Sequence, residues 1–176
     1  MNARRPAAWR TEIERTVQPS LLDRLTDEHP SVPADPATSR SESESAFREA
    51  VQRDVEWLLN TRRTMVVVPP YCPHVRASVH EFGLPDTTGV PVGTPDGRNF
   101  LVAAMQDALE RFEPRLGNPR VKLVEADQGR APQLRFTVDA TLRMDPSPEQ
   151  VVFDTVLEVA SGEYAVDVAG APPATP

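Results

Sequence analysis

Three residues with metal-binding side chains stand close together in "YCPHVRASVHE": Cys72, His74 and His80. A zinc site takes four such ligands, or three and a water. Here Pro73 separates the thiol from the first imidazole, the second His lies six residues on, and no second cluster completes a set. The pattern predicts surface histidines and a half-buried thiol. A second set of candidates is the carboxylates Asp54, Asp86, Asp96, Glu110 and Glu113. Glycoside hydrolysis needs two of them roughly 5–10 Å apart across a cleft, usually with aromatic platforms. Only Trp9, Trp57, Tyr71 and Tyr164 are obvious stacking groups. No G-x-S-x-G elbow exists, and "GVPVGTPDG" lacks the lysine and preceding strand of a phosphate loop. No complete catalytic set is legible, and neither cofactor nor metal is expected.

The remaining constellation is Glu113-Pro114-Arg115 in "RFEPRL". A glutamate in the last turn of a helix opposes the macrodipole, at a cost of a few tenths to ~1 kcal/mol. Proline lacks an N–H and pushes the residue before it out of the α region, so the helix ends near Phe112. Residues i and i+2 of extended chain share a side, which predicts Glu113 and Arg115 projecting together from a rigid corner. Sequence physics alone favours a solvated turn, because exposed ion pairs contribute little. A docking feature is the alternative, since proline lowers the entropy lost on binding.

The elements that position this corner follow from periodicity. "ESESAFREAVQRDVEWLLN" predicts a helix over 43–60, with Phe47, Val51, Val55 and Leu58 in one arc, Glu49 and Arg53 spaced to pair across the other face, and Asn60 as a stop. Asp54 falls at the edge of the arc and must find a partner or stay at the margin. A second, shorter helix is expected from Pro73 to Gly83, with Val75, Val79 and Phe82 as its apolar edge. A third runs from Pro95 to 112, capped by Thr94, burying Phe100, Leu101, Ala104, Met105, Ala108, Leu109 and Phe112. The period then switches to two: "RVKLVEA", "LRFTVDATLR", "VVFDTVLEV" and "EYAVDVA" read as successive strands. The fold class is α+β, three helices followed by an antiparallel meander of about four strands, with a tethered N-terminal helical arm. Residues 1–27 form the arm, with Ser20 capping a short helix of Leu21, Leu22 and Leu25. Residues 28–42, with prolines at 30, 33 and 36, are a flexible linker, 43–170 the main domain, and 171–176 a disordered tail.

Length and composition narrow the function. The 176 residues suit one domain with appended sequence. A net charge of −7 without a dense basic patch argues against nucleic-acid binding. One cysteine excludes an internal disulfide framework and fits a reducing compartment. The N-terminus lacks the apolar run of a signal peptide, and no stretch approaches the ~20 apolar residues of a membrane span. A cytoplasmic protein without membrane insertion is expected.

"LLDRL" at 21–25, "VQRDVEWLLNTRR" at 51–63, "FGLPD" at 82–86 and "ERFEPRL" at 110–116 together resemble the type VI secretion baseplate subunit family TssE. That family is similar to the phage baseplate-wedge protein often labelled lysozyme-like. The resemblance spans roughly residues 20–170. It implies a structural, non-catalytic subunit that joins the wedge partners TssF, TssG and TssK to the sheath subunits TssB and TssC and helps initiate sheath assembly. The family's Glu-Pro-Arg motif matches Glu113, Pro114 and Arg115, which are then expected to grip the wedge partners. The leucine-rich arm matches Leu21, Leu22, Asp23, Arg24 and Leu25, a second wedge contact. A sheet edge is expected to accept sheath strands by β-augmentation. The run "TMVVVPPYCPHV" is more apolar than the family's connection at this point. A peptidoglycan hydrolase, the reaction behind the older label, and a free-standing strand-accepting adaptor are the other readings.

Overall fold

The computed structural model describes residues 16–26, 39–87, 89–127, 132–145 and 147–169. The chain divides into two compact units, Met1–Phe47 and Arg48–Pro176. In the first, Ser20 caps α1 (Leu21–Leu25) by accepting the Asp23 N–H at 3.2 Å and donating to Asp23 Oδ2 at 2.6 Å. The Asp23 N–H and the capping hydroxyl are thereby both bonded, which favours the turn without sufficing to hold it. The buried Val17 donates its N–H to Ser43 Oγ at 3.1 Å, and Ser43 Oγ donates to the Arg40 carbonyl at 2.7 Å. α2 (Arg40–Asn60) starts three residues earlier than expected. A capping box is the reason: the Ser39 N–H donates to Glu42 Oε2 at 2.8 Å and the Glu42 N–H to Ser39 Oγ at 3.3 Å. These bonds hold the Glu42 carboxyl below its usual pKa. Most of the expected linker, residues 1–15 of the arm and the 171–176 tail lie outside the described residues.

In the second unit the four strands form a meander, β1 (Leu116–Asp127), β2 (Gln133–Leu142), β3 (Glu149–Glu158) and β4 (Glu163–Val168), each antiparallel to the next. The α+β class and strand order match the alternation in the sequence. β2 buries Leu134, Phe136, Val138, Ala140 and Leu142, and β3 contributes Val151, Phe153, Thr155 and Leu157 to the same face. The register requires this, because a one-residue slip would turn every apolar side chain outward. Val51, Val55, Leu58 and Leu59 of α2 and Leu101, Met105, Ala108 and Leu109 of α4 (Pro95–Phe112) complete the core. Complete burial stabilises by ~1.5–3 kcal/mol for each such side chain.

Two expectations are corrected. The second helix is broken into α3 (Pro73–Arg76) and a 3-10 turn, Val79–Glu81. Ser78 divides them, donating to the Val75 carbonyl at 2.7 Å and accepting the His80 N–H at 3.3 Å. Val75 and Val79 face solvent, so no buried stripe exists to hold a longer helix together. Phe100 is likewise exposed. The buried stripe of α4 runs through 101, 105, 108 and 109, and Phe100 lies about 100° away from Leu101 on the helix. Past α2, Thr61 and Arg63 bond the backbone of Leu84 in a parallel bridge. Gly83 is required there: its φ is +98°, and a Cβ would stand 2.1 Å from the Thr61 carbonyl oxygen.

Both outer strands have some of their outward backbone groups covered by helix side chains. On β4, Asn60 Nδ2 donates to the Tyr164 carbonyl at 2.8 Å and Asn60 Oδ1 accepts the Tyr164 N–H at 2.9 Å. One and two turns earlier, Glu56 Oε2 accepts the Val166 N–H at 3.2 Å and Gln52 Nε2 donates to the Val166 carbonyl at 2.6 Å. Residues 52, 56 and 60 are an i, i+4, i+8 stripe, so one face of α2 seals one strand edge. On β1, Gln106 of α4 donates to the Pro119 carbonyl and accepts the Val121 N–H at 2.9 Å. Among the described residues no side chain bonds the outward backbone of β1 beyond Val121.

Asn60→Ala removes two edge bonds and should lower unfolding free energy by ~1–3 kcal/mol in urea titrations, whereas an unchanged midpoint would show the seal to be incidental. Tyr164 gives a second test. Its hydroxyl is buried without a partner, and burial raises its pKa from 10 to about 12. The neutral form is therefore the one the fold favours, and its contribution is complete below pH ~10 and lost as pH rises towards 12. Stability should fall by an amount on the order of 2–3 kcal/mol across that window, and Tyr164→Phe should remove this component of the fall.

Candidate functional site

The Glu-Pro-Arg corner sits where α4 hands over to β1. Glu113 is the C-terminal cap of α4, with φ −119° and ψ 78°, and its N–H donates to the Leu109 carbonyl at 3.1 Å. The Leu116 N–H returns to the Glu113 carbonyl at 3.1 Å, closing a tight turn whose exposed vertex is Pro114. Within that turn Glu113 Oε1 accepts both the Arg115 N–H (3.2 Å) and Arg115 Nε (2.6 Å), while Oε2 accepts Nη2 at 2.5 Å. The two side chains do share a side, as i and i+2 spacing predicts. They do not present two free charges, because Glu113 is only 4 % exposed and its carboxylate is consumed by its neighbour.

The guanidinium has a third partner. Arg115 Nη2 also donates to Asp54 Oδ2 at 2.7 Å, and Asp54 Oδ1 accepts Arg53 Nη2 and Nε at 2.9 and 3.1 Å. Arg53 lies over the Trp57 ring, 5.1 Å from its centroid. This is the partner that Asp54, on the edge of the apolar arc of α2, needed. The chain Glu113–Arg115–Asp54–Arg53–Trp57 ties the middle of α2 to the end of α4. The two carboxylates raise the Arg115 pKa above its usual value and outweigh desolvation, the largest single influence, which acts in the opposite direction. The Arg115 carbonyl accepts the Arg143 N–H at 2.8 Å, which carries the tie into the sheet.

Glu113 and Asp54 are bonded to one and the same nitrogen, so the guanidinium fills the space that a scissile glycosidic bond would occupy. Neither oxygen of Glu113 is left to protonate a leaving group. Of the other carboxylates, Glu110 accepts Gln106 Nε2, and Asp86 stands 3.8 Å from Arg62. Cys72 is free and half-buried, and among the described residues no group of three His, Cys, Asp or Glu is placed to hold a metal.

Sequence reasoning missed a second network behind the corner. Glu81, nearly buried, stands 3.3 Å from Arg63 and 3.8 Å from Arg111. Arg111 also pairs with Asp107 at 2.8 Å, donates to the Arg76 carbonyl, and covers the Phe112 ring. Phe112 meets Phe82 edge to face with centroids 5.4 Å apart. Arg111 and Asp107 were legible as an i, i+4 pair, but Glu81 lies 30 residues away and carried no signal. In the arm, Leu21, Leu22 and Leu25 are 69, 55 and 76 % exposed, with Asp23 turned back to Ser20 and Arg24 in solvent. The arm and the corner belong to different compact units.

Removing the Arg115 head group leaves Glu113 buried beside Asp54 without its cation. Arg115→Ala should destabilise by ~2–4 kcal/mol in chemical denaturation, and Arg115→Lys by less, since it keeps the charge and loses the fork. Equal, small losses in both would show that the network is not what joins α2 to α4.

Comparison with known families matches residues 45–147, more than half of the chain, to the family described as baseplate wedge protein gp25. No curated protein and no solved structure matches the chain.

Proposed function

We propose, from the premise that the chain belongs to the baseplate wedge protein gp25 family, that it is the TssE-type subunit of a type VI secretion baseplate. Members of the family are structural and not catalytic subunits of contractile tails. In this reading the chain joins TssF, TssG and TssK to the TssB–TssC sheath, in the cytoplasm, and gives sheath assembly its first template.

The observation that carries the reading is the arm. Three leucines on one capped turn stand in water, where burying each would gain ~1.5–3 kcal/mol. A helix of five residues has no reason to persist alone, so its leucines are presented to a partner. Arg115 supports the same view in a modified form. Nε and Nη2 are taken by Glu113 and Asp54, whereas Nη1 makes no bond among the described residues, and the side chain is partly exposed beside Pro114. Glu113 and Asp54 thus orient a donor that a partner's carboxylate or carbonyl accepts, with Pro114 fixing the loop. Glu113 acts through Arg115 and does not reach the partner. For a sheath strand, β1 beyond Val121 is the accessible edge, since α2 occupies the backbone of β4.

Because Arg115 also supports the fold, charge reversal there would confound binding with folding. The exposed arm gives the cleaner test. A Leu21→Asp, Leu25→Asp double variant should keep the wild-type melting temperature and lose at least tenfold in affinity for co-expressed TssF–TssG. Wild-type assembly by that variant would remove the arm from the interface. Release of muropeptides from purified cell wall, abolished by Glu113→Gln, would instead revive the hydrolase.

A further inference from the structure

The segment "TMVVVPPY" at 64–71 takes no part in the core, the corner or the covered edges. It follows the parallel bridge of Arg62 with Leu84, bends at Met65 and runs on to Pro69 without a partner strand among the described residues. Met65 and Val67 are 82 and 86 % exposed, and Val66, Tyr71 and Val79 are also in solvent. β-Branched residues suit a half-buried surface, whereas Val66 and Val67 stand in solvent. The backbone tells the same story: among the described residues the N–H groups of Val67 and Val68 have no acceptor, and Val66 N–H finds only the Thr64 hydroxyl at 3.4 Å. Pro69 and Pro70 end the run and stiffen it.

The segment lines one side of a groove of about 520 Å³, whose other walls include Arg76, Glu81, Pro85 and Asp86, within the range of ~300–1,000 Å³ typical of ligand pockets. Its charges are not equivalent. Glu81 is held by Arg63 and Arg111, and Asp86 stands near Arg62. Arg76 is exposed and has no acidic partner among the described residues. On a protein of net charge −7, this apolar strip is therefore bordered by an uncompensated cation.

We infer that residues 64–68 and Arg76 form a docking strip for an extended, apolar segment of a partner protein that carries a carboxylate opposite Arg76. Unpaired amides select an extended chain over a helix, whose own amides are already bonded. Exposed valines select apolar side chains, and Arg76 selects the acid. The inference rests on the assembly reading only in placing that partner within the same particle. Neither Glu113 nor the arm takes part in it.

The test is hydrogen exchange on the full chain, free and within purified contractile particles, together with a benzoylphenylalanine crosslinker at position 67. The amides of 66–68 should exchange freely in the isolated chain and at least tenfold more slowly in the particle. The crosslink should map to one extended segment with Asp or Glu in reach of Arg76. Arg76→Glu, on an exposed turn, should leave melting unchanged and cut the crosslink about tenfold, and reversing the partner's acid should restore it. A chain absent from the particles would overturn the assembly reading. A chain present with 66–68 still exchanging freely, or crosslinked to lipid or to a second copy of itself, would overturn this one alone.

Discussion

The guanidinium of Arg115 is bonded by two carboxylates that come from different helices. Glu113 approaches from the end of α4, two residues away in sequence, and Asp54 from the middle of α2, 61 residues away. Without the cation, two acids would face each other at the margin of an apolar core, each repelling the other and neither hydrated fully. With it, α2 and α4 are held at a fixed separation at one point, and the Arg115 carbonyl extends that point to the sheet through Arg143. Direct helix-to-sheet packing does the rest: α4 lies along β1, and α2 reaches β4 through long polar side chains. The unit thus has an ion-pair tie between helices and hydrogen-bonded seals at the sheet edges.

In the proposed docking role, the Glu-Pro-Arg motif would have two duties that constrain each other. A docking arginine with a free side chain would lose ~1.5–2 kcal/mol of rotamer entropy on binding. Here Glu113 and Asp54 have already fixed Arg115, and folding rather than association bears that cost. The guanidinium can offer only what the fold does not use, its Nη1 edge. A lysine, which has no second edge, could serve either duty but not both. Under that proposal, the asymmetry favours an arginine at position 115 whatever the partner.

Much of this was open to sequence reasoning where one physical rule dominated. Strict alternation gave the strands of "LRFTVDATLR" and its neighbours their position, since burial on one face is the only force that sets a period of two. Thr94 with Pro95 fixed the start of α4, and the anomalous place of Asp54 announced a partner without naming it. Reasoning failed where the deciding contact was distant or where exposure overruled hydrophobicity. Glu113 looked solvated because its cation stands two residues away and the acid sharing that cation stands in another helix. Val75, Val79 and Phe100 looked buried because they are apolar, and all three face solvent. Asn60 was legible as the stop at which α2 ends, but not as the amide that holds the backbone of an outer strand.

The edge seals bear on how a strand could be added to this sheet. An incoming strand needs consecutive outward N–H and C=O groups. At β4 it would have to displace Asn60, Glu56 and Gln52, whose bonds to Tyr164 and Val166 together equal what one new strand could make over those residues. The exchange there would gain little. At β1 the seal by Gln106 ends at Val121, and the ladder with β2 shifts register between Leu123 and Glu125, with Val124 exposed at the shift. A bulge increases local twist and is a common way to discourage strand addition, so β1 is open in its backbone but shaped against a generic strand. A partner strand must follow that twist to pair, and the shape of the edge then supplies selectivity that unpaired amides alone do not.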